Sequence, residues 1–287
     1  MIYLHIHSNY SDGSDNLSEL IDNLHKAGVK TFALTDHDTA EGCRQILSSE
    51  SLKQKLIDYK MNFIVGAEWT CIYGNQKMHI LAYGFDPFDE KVINLEKKMR
   101  SMLDEKDKFR TIALKNNGIS LSEKSKKYLK SKENVRSMDF ANCLVWDGYF
   151  DDVQDAFKNC LTKIKYPFEC RFDTIELIEE MNKIDAKVVW AHSIYDDKGK
   201  VTSFEDVERI SKELKLFGLY GLECFYSLYK KDEIQKLVEI AKRNNLLYTS
   251  GSDYHGQNKV VKIGQFSSDG TGVFEEIKIC DNLKKWC

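Results

Sequence analysis

The sequence predicts an α/β fold, with a parallel sheet, open or closed, and a helical insertion partway along the chain. Three observations predict it. Short apolar runs alternate with amphipathic stretches before residue 89 and again after residue 166, and such alternation of strand and helix marks a parallel sheet with crossover helices. Residues 89–166 break that pattern, being rich in Lys and Glu with helical stretches but no clear strands. The 287 residues suffice for one large barrel or two ordinary domains.

The elements follow in order. Ile2-Tyr3-Leu4-His5-Ile6-His7 alternates apolar residues with histidine and reads as a strand. Asn16-Leu17-Ser18-Glu19 forms a capping-box pattern, with Leu17, Leu20, Ile21 and Leu24 at helical spacing behind it. Gly28 closes that helix. Thr31–Leu34 is a short buried strand, and a single helix is expected from about Thr39 to Tyr59. Strands follow at Phe63–Glu68 and Met78–Tyr83. After the insertion come a helix at Thr174–Lys183, a strand at Lys187–Ala191 and a helix at Phe204–Leu216. A short strand at Gly221–Glu223, a helix at Lys231–Asn244 and a strand at Leu246–Ser250 complete the pattern. Beyond Gly264 a Ser- and Gly-rich loop leads into an apolar segment, Val273–Ile279, expected to add a strand or a small cap.

Composition narrows the function. A net charge of −3 provides no global field for nucleic acid, so any nucleic-acid handling must come from a local site. The clusters Lys97-Lys98 and Lys124-Ser125-Lys126-Lys127 read as solvated helix faces. No apolar run approaches the roughly 18 to 20 residues of a membrane span, and the N-terminus lacks a signal-peptide pattern. A cytoplasmic location, with no membrane and no obligate protein partner, is the expectation. None of the eight cysteines forms a C-x-x-C pair, so free thiols are expected rather than disulfides or a structural zinc site.

The histidines carry the chemistry. Of seven, His25 falls in mid-helix and reads as a solvated side chain. The other six, His5, His7, His37, His79, His192 and His255, fall at strand ends or within a strand, and Asp12, Asp36, Asp38, Glu68 and Asp253 accompany them. In parallel β/α architectures the carboxyl ends of strands are where sites assemble. His5 and His7, two apart on a strand, face the same way and could share a cation; separate partners for each are the plain alternative. Asp36-His37-Asp38 could equally be turn chemistry. Taken together, the clustered imidazoles and carboxylates point to divalent ions such as Mn²⁺, Fe²⁺ or Zn²⁺. Nine candidate ligands, the six histidines with Asp12, Glu68 and Asp253, exceed the needs of one ion, so two or three are expected.

These motifs resemble a known family. They are His5-Ile6-His7-Ser8 with Ser11-Asp12-Gly13, Leu34-Thr35-Asp36-His37-Asp38-Thr39, Gly66-Ala67-Glu68, His79-Ile80-Leu81-Ala82-Tyr83-Gly84, Ala191-His192 and Gly251-Ser252-Asp253-Tyr254-His255-Gly256. Together they resemble the PHP (polymerase and histidinol phosphatase) family, and in order and spacing its stand-alone branch of RNase AM and 3′,5′-nucleotide bisphosphate phosphatases. The resemblance extends to about Gly264. It implies a distorted (β/α)7 TIM-like barrel over residues 1–88 and 167–287, with the insertion 89–166 covering the active site. It further implies that His5, His7, Glu68 and Asp253 hold one metal, that Glu68 bridges to His79 and His192 at a second, and that Asp12, His37 and His255 hold a third. The implied activity is hydrolysis of phosphate esters of nucleotides or short RNA or DNA ends by a metal-bound hydroxide.

Three departures from that branch leave the ligands intact and the substrate open. Ser193 stands where Pro is expected, Cys224-Phe225-Tyr226-Ser227 replaces an aromatic-His-Pro run, and Asp139 replaces a His near Arg136. Arg136 and Lys165 are candidate phosphate clamps, with ordinary surface charge as the alternative. Tyr226 and Tyr254 are candidate stacking residues, with core packing the preferred reading. Asp36 is expected to orient a metal-bound imidazole or water. Histidinol phosphate or another small phosphate ester is an alternative substrate, and a non-catalytic metal module within a larger assembly is an alternative of another class.

Overall fold

The computed structural model describes residues 1–132, 135–166, 171–195 and 201–270. They divide into two compact units, one of residues up to Asn94 and from Phe172 onward, the other Leu95–Arg171.

The first unit begins with β1 (Ile2–Tyr3), α1 (Leu17–Lys26), β2 (Thr31–Leu34), α2 (Glu41–Ser48) and α3 (Glu50–Asp58). The capping box at Asn16 and Glu19 forms, and the apolar stripe of α1 is buried. The single helix expected over Thr39–Tyr59 is instead two. Ser49 takes an extended conformation between them and accepts a hydrogen bond from Leu52 N–H, so it caps α3. His25 is likewise not simply solvated: it stacks on Tyr59, with ring centroids 3.9 Å apart.

Next come β3 (Asn62–Tyr73) and β4 (Gln76–Tyr83), both longer than the expected strands. They pair antiparallel, and β4 also runs antiparallel to β6 (Lys187–Trp190). The sheet is therefore mixed, not wholly parallel. The reason is local. Only the Gly74 turn, at φ +58°, separates β3 from β4, and a parallel pair would need a crossover of a dozen residues or more.

α4 (Glu90–Asn116) begins in the first unit and continues into the second. The second unit also holds α5 (Glu123–Ser131), α6 (Ser137–Trp146) and α7 (Val153–Asn159). It has its own core of Leu114, Leu121, Phe140, Leu144 and neighbouring residues. The chain then returns through β5 (Phe172–Asp173), α8 (Thr174–Asn182), β6, α9 (Phe204–Lys215), β7 (Gly221–Phe225), α10 (Lys231–Arg243) and β8 (Leu247–Ser250).

Seven strands follow one path, β1-β2-β3-β4-β6-β7-β8, with β5 beside β3. The path closes on itself. Leu4 N–H donates to Ser250 C=O at 3.0 Å, and Ile6 bridges Tyr254 in parallel sense. The result is a distorted seven-stranded α/β barrel. Leu4, Ala33, Ile64, Leu81, Tyr83, Val189 and Ala191, drawn from five strands or their ends, pack into one buried cluster that fills its interior. A second cluster lies between sheet and helices, where Phe266 meets Tyr3 edge-on. The segment Val273–Ile279 lies outside the described residues. Cys43, Cys71, Cys143, Cys160 and Cys224 are free thiols; the remaining three cysteines lie outside the described residues. Among the described residues no helix is long and apolar enough to cross a membrane.

Candidate metal centre

One end of the barrel interior is polar. His37 and Glu68 continue the inward phase of Ala33 and Ile64 along β2 and β3, two residues per step. His79 shares the inward face of Leu81 and Tyr83. Because β4 runs antiparallel, its beginning rather than its end reaches this rim, which explains why His79 stands early in its strand. At the rim two ligand candidates, His192 (φ 63°) and Asp253 (φ 60°), occupy the left-handed region that L-residues seldom adopt.

Glu68 is the hub. It is fully buried, and both oxygens are surrounded by imidazoles. Oε1 lies 2.9 Å from His79 Nδ1 and 3.0 Å from His192 Nε2; Oε2 lies 3.0 Å from His37 Nδ1 and 3.2 Å from both His5 Nε2 and His7 Nε2. Asp253 Oδ1 joins from the last strand end, 3.1 Å from His7 Nε2 and 3.5 Å from His5 Nε2. On the outer side His255 Nε2 lies 3.1 Å from Asp12 Oδ1, and Asp12 lies 3.8 Å from both His7 and His37.

All nine expected ligands are thus brought together. Their atoms form three overlapping groups, each with donors within 4.8 Å of one another: His5, His7, Glu68 and Asp253; His7, Asp12, His37 and His255; His37, Glu68 and His79. His192 adjoins the third, its Nε2 3.1 Å from His79 Nδ1. The donor set fits divalent cations on a direct observation. His5 Nε2, both nitrogens of His7, His255 Nε2 and Glu68 Oε2 are buried without a hydrogen bond of acceptable geometry. Orphaned polar atoms are costly in a protein interior, and divalent cations held by these residues would satisfy them.

Electrostatics agree. Burial would raise the carboxyl pKa of Asp12, Glu68 and Asp253, but the facing imidazoles, and Lys259 at Asp253, hold all three well below the usual range. Burial opposes charge on His7, yet Asp253 and Glu68 push its pKa up to about 9. Burial also drives His37 well below and His255 below the ordinary histidine value.

Glu223 is a functional residue not expected from the sequence. It is fully buried, and its Oε1 accepts a hydrogen bond from His5 Nδ1 at 2.9 Å. That contact places the His5 proton on Nδ1 and leaves Nε2 as a ligand. The signal in the sequence was a carboxylate ending the apolar strand Gly221-Leu222-Glu223. Gly251 belongs to the same device: a Cβ there would lie 2.1 Å from His5 Cβ and 2.9 Å from Glu223 Oε1.

Asp36 departs from expectation. Its carboxylate contacts no imidazole by hydrogen bond. It accepts from Ser8 N–H (2.8 Å), Ser8 Oγ (2.7 Å) and Ser11 Oγ (2.6 Å), and so anchors the loop that presents Asp12. Asp38 accepts from Thr70 N–H at 2.7 Å, so Asp36 and Asp38 flank His37 as structural braces. Tyr226 is buried with its ring 5.5 Å from that of His192 and its hydroxyl 3.3 Å from Asp253 Oδ2. Tyr254, between inward-facing Asp253 and His255, points the other way. It packs on the outer core, and its hydroxyl donates to Asp15 at 3.0 Å.

Arg136 and Lys165 belong to the second unit. Arg136 precedes α6, and Lys165 is exposed. Asp139 accepts from Arg136 N–H (2.8 Å) and Tyr128 Oη (2.6 Å), and so organises the start of that helix.

Comparison with known proteins places this site in context. The family model of the PHP domain matches residues 3–201, more than half of the chain. A 3′,5′-nucleoside bisphosphate phosphatase of Chromobacterium violaceum is 26% identical over 258 residues, covering 88% of this chain and 87% of the relative. A 5′-3′ exoribonuclease of Haemophilus influenzae is 26% identical over 265 residues, covering 91% and 92%. A crystal structure from Bifidobacterium adolescentis superimposes with a TM-score of 0.76 at 23% identity, covering 94% of this chain and 93% of the other, and shares the fold. From the barrel, the ligand constellation and the match over residues 3–201, the chain belongs to the PHP domain family.

Proposed function

We propose that the protein is a metal-dependent phosphoesterase acting on phosphate esters of nucleotides or short oligonucleotides. The observation that carries this reading is the convergence of six imidazoles and the carboxylates of Asp12 and Asp253 around Glu68, with buried polar atoms that divalent cations would satisfy. The named activities of the two curated relatives, a nucleoside bisphosphate phosphatase and an exoribonuclease, support the substrate class.

His5, His7, Glu68 and Asp253 would hold one ion; Glu68, His79 and His192 a second; Asp12, His37 and His255 a third. Mixed imidazole and carboxylate ligation suits Mn²⁺, Fe²⁺ or Zn²⁺. Such ions acidify a water and offset the negative charge of a phosphoryl group. The chain supplies the rest. Glu223 keeps the His5 proton on Nδ1, and Asp36 holds the Asp12 loop in place. A narrow cleft beside His79 and His192, lined by Gln76, Met78, Trp190, Ser193 and Tyr195, has room for little more than a water-sized group, so the rest of the substrate would lie outside it. Ser193 there contributes a hydroxyl where the resemblance predicts a proline.

The test is phosphate release by metal-reconstituted protein from nucleoside monophosphates, 3′,5′-bisphosphates, short RNA and histidinol phosphate. Activity on the nucleotide substrates is expected. His7→Ala and Asp253→Ala should abolish it with the fold retained. Full activity in metal-stripped protein would sink the reading.

A further inference from the structure

We propose that Lys259 is a phosphate-binding cation supplied by the barrel itself, reaching the substrate from beside the metal centre. The inference rests on the phosphoesterase reading and names a residue that recognises the reacting group.

The Asp253 carboxylate is divided. Oδ1 faces His7, His5 and His255 at 3.1, 3.5 and 3.4 Å, while Oδ2 faces Lys259 Nζ at 2.7 Å. The ammonium is held in that place by its loop. Gln257 N–H donates to Ser14 Oγ at 2.8 Å, and Asn258 Nδ2 donates to the Asp12 carbonyl at 2.8 Å. The segment leading to Lys259 is therefore tied to the loop that presents another ligand, Asp12. The lysine side chain remains 42% exposed while its Asp253 partner is 7% exposed, so the cation sits at the boundary between the buried cluster and solvent.

In metal-free protein the ammonium compensates the buried Asp253 carboxylate and keeps it ionised. Beside a carboxylate that holds a metal, the same charge would oppose that of the ion. An arriving phosphate reverses that sign. The ammonium has three donors, of which Asp253 takes one. The others can meet a phosphoryl oxygen in a short charge-assisted hydrogen bond. The Asp253 contact then aims the ammonium, and the substrate anion completes its coordination.

The experiment uses Lys259→Met and Lys259→Arg in the full chain. Metal content is measured by mass spectrometry, binding of inorganic phosphate to the metal-loaded protein by calorimetry, and kcat and KM on the best substrate of the screen. Lys259→Met should keep its metal, weaken phosphate binding by roughly tenfold or more and raise KM, because a hydrogen bond between charged groups is lost. Lys259→Arg should restore part of the affinity. Unchanged phosphate binding in Lys259→Met would overturn the proposal. So would loss of metal from both variants, which would make Lys259 a tether for Asp253 only. A wild type that hydrolyses no phosphate ester would sink the phosphoesterase reading instead, and phosphate calorimetry would still decide the role of Lys259.

Discussion

Glu68 meets five imidazoles with two oxygens and has no solvent to share the task. A carboxylate so placed would bridge two ions, a role its neutral counterpart cannot fill, so Glu68→Gln should abolish metal binding in a titration with Mn²⁺. Glu223 acts one step further out. Glu223→Gln can donate its amide N–H to His5 Nδ1, which drives the proton to Nε2 and blocks the ligand. Metal affinity should fall about 10- to 100-fold in a protein of unchanged fold. His7 gives a pH signature. Its metal-free pKa of about 9 exceeds the ordinary 6.5, so at neutral pH a metal must displace a proton. Apparent affinity should therefore rise from pH 6.5 to 9, with proton release on loading visible in calorimetry across buffers of different ionisation enthalpy. The linked stability has the opposite slope. In metal-free protein the stabilisation from charged His7 is complete below 6.5 and is lost as pH rises through 9. At this scale the sequence was legible wherever period and residue type coincide, as in His5-x-His7 and Asp253-x-His255. Glu223, a carboxylate ending an apolar strand, could be read as buried but not as the partner of His5, 218 positions away, and nothing local pointed Lys259 at Asp253, six positions away.

The elements place these groups by small irregularities. Leu4 and His5, adjacent in sequence, both serve the barrel interior, one in its apolar fill and one in the metal cluster, because regular β1 pairing ends at Tyr3. Asp38, His192 and Asp253 hold positive φ at the rim. Left-handed backbone costs on the order of 1–2 kcal/mol per residue, which the surrounding contacts must offset. The Ser8–Ser11 turn depends on Asp36 and on Gly13, where a Cβ would lie 2.5 Å from the His7 carbonyl oxygen. Asp36→Ala should free that turn and withdraw Asp12. The expected result is a lower metal stoichiometry than wild type, with the ion at His5 and His7 retained, read by mass spectrometry. Caps and amphipathic stripes were legible, as α1 demonstrates. The α2–α3 break was not, because Ser49 among other good helix residues is a weak stop that only tertiary packing makes decisive. The antiparallel run of β4 was not read either, although the absence of a helix between residues 68 and 78 foreshadowed it.

For the whole molecule, a centre that draws on β3, β4 and the segments after β1, β2, β6 and β8 would make bound cations part of the fold. Ligand binding at a hundred times Kd contributes about 2.7 kcal/mol. Chelation should therefore lower Tm by several degrees, with recovery on adding back Mn²⁺, measured by calorimetry. Composition changes near residues 89 and 166, but the division of the two compact units at Asn94 and Phe172 has no mark in the sequence at its first boundary, because α4 continues through it without a break. One feature also governs how such a molecule comes into being. The barrel seam joins Leu4 to Ser250 and Ile6 to Tyr254, and the same seam brings His5 and His7 to Asp253 and His255. During synthesis His5 and His7 can meet Asp12 and Glu68 early, but must wait for Asp253 until the last strand emerges. A cation held by His5, His7 and Asp253 would then be a clasp between the first strand and the last, tying metal loading to completion of the ring.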